Sequence, residues 1–282
     1  MLRYLSFLLL YTLCALAQPT RIVSTSPSAT DIIYAIGAGS RVVGVSLYCR
    51  NPKEALALPK VGTYRKPDVE KIARLRPDLV ILHETSTDVR NRLQALGIKS
   101  VVMPYGSLED TFQAIRVIGD AVSAKPQAEA LVSRIRGAIA RTHGAASGLR
   151  RSAIIIVGRD MESLTSLVAA GPGSYLGELL QAAGGVNALQ GDHLPAYPRI
   201  SLETVMRLDP DVIIDAADMG DRAEESDALR SRVVGVWRQR PTLKAVRNQA
   251  VYPVFADTFT LPGTHMLETL SLMGQALQGA SR

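Results

Sequence analysis

The chain has 282 residues, 47% hydrophobic and 5% aromatic, with a formal charge of +6. That length and apolar content suit two domains of ordinary size. The basic excess is spread along the chain without a block, which excludes a nucleic-acid-binding patch. No stretch reaches 18 consecutive apolar residues, so no membrane-spanning helix is expected.

Residues 1–17 read as a secretory signal. Arg3 supplies the positive start, 4–13 are almost wholly apolar, and Ala15-Leu16-Ala17 is a small-x-small cleavage pattern. Cleavage after Ala17 predicts an exported, soluble mature chain. Cys14 raises a lipoprotein reading, but Leu13 before it fits a lipid-attachment site poorly. Processing leaves Cys49 as the single cysteine and permits no internal disulfide.

The mature chain opens with a short strand, RIVS at 21–24. Ser26-Pro27-Ser28 then turns into a capped helix whose apolar face is Ile32, Ile33 and Ile36, ended by Gly37 and Gly39. A strand at 41–45 and a loop-rich stretch with Pro52, Pro59 and Gly62 follow. Next comes DVEKIARLRPDLVILH, residues 68–83, which returns 133 residues later as SLETVMRLDPDVIIDA, 201–216. Each copy reads as a helix capped by Asp68 or Ser201, a proline stop at Pro77 or Pro210, and a continuously apolar strand covered on both faces. A unit repeated this far apart predicts two similar lobes.

After the first copy the pattern predicts a helix over 88–96, a strand over 99–103, and an amphipathic helix over 107–122. A further helix from 125 to about 143 carries Ala128, Leu131, Ile135 and Ile139 on one side. It stands between the repeats, where a connector is needed. The order then restarts with a strand at 152–158, a helix at 174–183, and the second copy of the repeat. A helical 226–238, a strand at 250–254 and a last helix over about 263–278 complete the chain. Strand alternating with helix throughout predicts an α/β fold with mainly parallel sheets.

The residues form no catalytic constellation. Histidines 83, 143, 193 and 265 are scattered, no Ser or Cys sits in a nucleophile motif, and the glycines at 37, 39 and 44 lack dinucleotide spacing. In parallel sheets ligands gather at the carboxyl ends of strands. On that rule His83 and Tyr105 follow strands, Asp257 and Phe259 follow the last strand, Tyr48 and Tyr64 lie in loops of the same rim, and Tyr197 precedes the second repeat. Trp237 is assigned to core packing.

RIVSTSPSATDIIYAIGAGSRVVGV, VGTYRKPDVEKIARLRPDLVIL, SLETVMRLDPDVII and AVYPVFADTFTLPGTH, taken in order, resemble the periplasmic substrate-binding proteins of the cobalamin, ferric-siderophore and haem ABC importers, most of all the cobalamin-binding branch. The resemblance implies two Rossmann-like lobes (18–122 and 148–282) joined by one long α-helix (123–147), with the ligand cleft between them. It implies a periplasmic protein without enzymatic activity or resident metal. Its cargo would be a corrinoid such as cobalamin, handed to a membrane permease. Nothing in it calls for nucleic acid or for more than a monomer. Tyr48, Tyr64, His83, Tyr197, Asp257, Phe259 and His265 become the expected ligand-binding residues. His265 stands where many relatives carry arginine. Glu70 and Glu203, by motif position, become the glutamates that dock onto permease arginines. The histidines keep a ferric siderophore or haem as the alternative ligand, since imidazole is a common metal ligand. A Rossmann-like enzyme is the alternative of another class, opposed by the missing nucleophile and phosphate loop.

Overall fold

The computed structural model describes residues 18–145, 150–191, 193–217, 227–255 and 258–279. The expected signal segment with Cys14, and Asp257, lie outside the described residues.

The first lobe begins with β1 (Ile22–Ser24), α1 (Pro27–Ala35), β2 (Val42–Val45), α2 (Val69–Arg74), β3 (Leu79–His83), α3 (Thr87–Ala95) and β4 (Ser100–Met103). Its four strands pair in parallel in the order β2-β1-β3-β4. Two helices follow, α4 (Leu108–Ala121) and α5 (Lys125–Ala145). The second lobe contains β5 (Ser152–Gly158), β6 (Val168–Ala169), α6 (Tyr175–Ala182), β7 (Val186–Asn187), α7 (Leu202–Leu208), β8 (Val212–Asp215), α8 (Asp227–Arg238), α9 (Lys244–Arg247), β9 (Val251–Pro253) and α10 (Met266–Gln278). Its sheet runs β6-β5-β8-β9, with β7 also on β5, and β6 is antiparallel. The expected α/β architecture of two Rossmann-like lobes with mainly parallel sheets is thus present. The two-residue strands β6 and β7 and the one-turn α9 went unpredicted, because elements so short carry no period.

The helix starts follow local chemistry. Asp68 accepts from the Glu70 and Lys71 amides at 3.1 and 3.0 Å, and Ser201 from Thr204 at 3.3 Å. Ser107 and Asp110 form a reciprocal capping box on α4. The repeat carries one further device in both copies. Arg76 and Asp209, each just before the proline, adopt left-handed φ of 45° and 41°. The aspartate after each proline then binds back to the first strand region of its own lobe. Asp78 accepts from the Thr20 and Arg21 amides at 2.7 and 3.0 Å, and Asp211 accepts from the Ser152 amide and hydroxyl at 2.9 Å. The Pro-Asp pair therefore ends a helix and ties the following strand to its neighbour.

The apolar runs are buried on both faces. Leu79 and Ile81 join one core cluster while Val80 and Leu82 join another. In the second lobe Ile155 and Ile214 face inward, and Ile154 and Ile213 pack outward with Trp237, as expected of that residue. The inward cluster is shared. It runs from Ile32 of α1 and Ile115 of α4, through Leu131 and Ile135 of α5, to Leu179 of α6 and Leu270 of α10. One apolar core thus continues from sheet to sheet.

The helices α4 and α5 form an antiparallel hairpin broken at Ser123, whose φ is 57°. A Cβ on Gly119 would lie 2.3 Å from that of Ala128, so glycine is what permits the close crossing. Arg116 bridges Glu109 and Glu129, and Arg136 pairs with Glu109 across the same face.

Candidate functional site at the junction of the lobes

Four of the rim residues come together as a row of rings. His83 ends β3, and Tyr105 follows β4, so both stand at the carboxyl edge of the first sheet. Tyr64, in the loop before α2, is held by the Ser86 hydroxyl donating to its carbonyl at 3.1 Å. The Tyr64 and His83 rings are 5.5 Å apart, and His83 and Tyr105 4.7 Å apart. Tyr197 of the second lobe stacks near Tyr105 at 6.4 Å with 28° between planes. The row therefore crosses from one lobe to the other.

Its electrostatics are those of a weakly polar surface. Burial, with the charge of Arg65, pushes the His83 imidazole below its ordinary value of 6.5, so the ring is neutral at pH 7. The His83 Nδ1 lies 3.2 Å from the Thr85 hydroxyl. Burial pushes the Tyr105 and Tyr197 phenols up, and both keep their protons at physiological pH. Half-buried rings with protonated hydroxyls can cover the face of a large ligand and donate hydrogen bonds at its edge. Among the described residues, no cluster of three or more His, Cys, Asp or Glu could hold a metal ion.

The remaining expected residues lie elsewhere. Tyr48 is 51% exposed in the loop after β2, outside the ring row. Phe259 is not on the rim: it is 1% exposed in the shared core, where its carbonyl accepts from the Tyr175 hydroxyl at 3.0 Å. Standing after a strand does not fix which way a side chain faces, so spacing alone did not reveal this burial. His265 faces Asp31 of α1, with Nε2 3.2 Å from Oδ1, rather than the aromatic row. Glu70 is exposed in the first turn of α2, 3.8 Å from Arg74. Glu203 is exposed in the first turn of α7, and a hydrogen bond with Ser201 holds its carboxyl below the usual range.

Beneath the row the lobes are joined by polar bonds that sequence reasoning missed. The Leu108 amide at the start of α4 donates to Glu178 Oε2 of α6 at 2.6 Å, and the Tyr175 amide donates to the Gly106 carbonyl at 2.8 Å. Asp31 accepts from the Thr264 amide at 3.1 Å and from its hydroxyl. A second buried cluster lies at the carboxyl edge of the other sheet. Arg159 Nε donates to Asp215 Oδ2 at 2.8 Å, and Trp237 Nε1 to the same oxygen at 2.7 Å. None of these pairings leaves a local signal, because the partners are 22 to 233 residues apart.

The periplasmic binding protein family matches residues 22–257. An uncharacterised ABC transporter substrate-binding lipoprotein of Bacillus subtilis is 28% identical over 269 residues, 92% of this chain and 80% of that protein. The vitamin B12-binding protein of Vibrio cholerae is 28% identical over 263 residues, 90% of this chain and 89% of its own. The crystal structure of the Vibrio cholerae periplasmic vitamin B12-binding protein matches with a TM-score of 0.76 at 24% identity, covering 93% of this chain and 98% of that one.

Proposed function

The chain belongs to the periplasmic binding protein family, as a substrate-binding component of the kind that serves ABC importers, and from that premise we propose that it is an exported, monomeric carrier of a corrinoid, cobalamin or a close analogue. The observation that carries this reading is the aromatic row Tyr64, His83, Tyr105 and Tyr197, which bridges the lobes and offers faces and phenol donors to a broad, amide-fringed ligand. The vitamin B12-binding relatives, aligned over nine-tenths of the chain, support the ligand class. The signal segment is cleaved after Ala17, placing the mature protein in the periplasm. Glu70 and Glu203, at equal positions of the two repeats, dock the loaded carrier onto the permease. The protein makes and breaks no bond in its ligand.

Calorimetric titration of the chain from Gln18 onward with cyanocobalamin tests this. The expected result is saturable one-to-one binding. Tyr105→Ala and Tyr197→Ala should each weaken it about tenfold, the equivalent of roughly 1.4 kcal/mol for one lost ring contact. No heat of binding would overturn the corrinoid reading.

One observation favours a second reading. His83 is neutral and sits inside the row, and neutral imidazole is the form that ligates iron. If haem is the cargo, haemin titration should shift the haem absorbance, and His83→Ala should abolish the shift. A haemin spectrum unchanged by the wild-type protein removes this reading.

A further inference from the structure

Asp31 lies in the second turn of α1, in the first lobe, and is 8% exposed. Among the described residues, everything that satisfies its carboxylate comes from the turn that opens α10, more than 230 residues away. Oδ2 accepts from the Thr264 amide and hydroxyl, and Oδ1 faces His265 Nε2 at 3.2 Å. The turn is built for this approach. Gly263 has φ of +147°, and a Cβ there would sit 3.1 Å from Asp31 Oδ2, so a larger residue would be strained and crowded. The other ring nitrogen of His265 lies 3.3 Å from Glu268 Oε2. Among the described residues, Asp31 from α1 and Glu268 from the first turn of α10 are the charged groups that face the imidazole. Both are acids, and α1 carries no basic residue of its own. His265 is thus the titratable cation that pairs with Asp31 across this part of the seam.

We infer that Asp31, Thr264 and His265 form a proton-sensitive latch between the lobes, closed while His265 is protonated and loosened when it loses that proton. The latch adds regulation to the cleft of the proposed carrier, and its test requires no ligand, so either idea can fail alone. The direction follows from linkage. The hydrogen bond to Asp31, opposed by burial, raises the His265 imidazole above its ordinary 6.5. Burial pushes the Asp31 carboxyl up, but the bonds from His265 and Thr264 outweigh it and hold it below its ordinary 3.8. The His265 contribution is complete below pH 6.5 and is lost as pH rises through the raised value. The Asp31 contribution is complete above pH 3.8 and is lost as pH falls through the lowered one. The latch is thus strongest in mildly acidic surroundings and weakens on the alkaline side.

The lobe separation of the mature chain can be read by energy transfer between dyes on Leu96→Cys and Met206→Cys. Both positions are exposed, one on each lobe, while Cys49 is buried at 1% and escapes labelling. The expected result is a narrow distribution of separations at pH 6 that broadens at pH 9. His265→Arg, charged at both values, should stay narrow at both. Asp31→Asn should be broad at both. If Asp31→Asn fails to fold by circular dichroism, His265→Asn takes its place with the same expectation. A wild-type distribution that is identical at pH 6 and pH 9, or one that broadens equally in His265→Arg, would overturn the latch.

Discussion

Replacing Glu70 and Glu203 together by alanine should reduce ligand delivery through the reconstituted permease to background, while affinity for the ligand should stay at the parent value. Both side chains are exposed, each in the first turn of a short helix. Their contribution to the fold is limited to a favourable helix-dipole interaction, an exposed pair with Arg74 for Glu70, and an exposed hydrogen bond with Ser201 for Glu203. Neither helix start needs them, since Asp68 and Ser201 supply the caps. What alanine removes is a matched pair of charges at equal places on the two lobes. Such charges speed and orient docking more than they hold it, which suits a carrier that must leave after delivery. Each single variant should therefore slow delivery by about tenfold and weaken its dependence on salt. Loss of ligand affinity in the double variant would show instead that the glutamates serve the cleft.

Asp215→Ala should be among the most destabilising single changes in the chain, costing about 3–5 kcal/mol. The side chains of Arg159 and Asp215 are both 0% exposed. One carboxylate oxygen receives Arg159 and Trp237, and the other receives the Ala217 amide at 3.1 Å. Arg159 also donates to the Asp160 and Met161 carbonyls at 2.8 Å. Its Nη2 is buried with no acceptor among the described residues. Alanine at 215 leaves that guanidinium buried without its counter-charge and strands the indole N–H. At about 2–4 °C per kcal/mol for a chain near this size, the melting point should fall by roughly 10 °C. The double change Arg159→Met with Asp215→Leu should lose far less, because it removes the charge along with its partner. Scanning calorimetry of the three variants decides the matter. An Asp215→Ala protein melting within about 2 °C of the parent would mean that the pair contributes little to the fold.

Most of the element map was legible because its causes are local. The two copies of the repeat show their caps, their proline stops and their doubly buried strands in consecutive residues, and each appears in the structure where its residues stand. The aromatic rim was legible in part. His83 and Tyr105 could be placed because they follow strands, and parallel strands deliver their ends to one edge. Phe259 lies in the core instead of the rim, because following a strand fixes a residue's position along the chain and not the direction its side chain takes. His265 was placed in the cleft by analogy with an arginine of relatives, and in the structure it meets Asp31.

What the sequence by itself determined here is the alternation of strand and helix, the doubling into two lobes, and the family whose ordered motifs the chain carries. These rest on period, capping and proline geometry, all of which act within a few residues. The tertiary structure alone decided that Tyr197 comes up against Tyr105, that Glu178 caps α4 from the other lobe, that Arg159 finds Asp215, and that Asp31 closes on Thr264 and His265. Each of those pairings joins residues 56 to 234 positions apart. Their energy depends on distance, burial and charge across the finished core, and no short stretch of chain contains both partners.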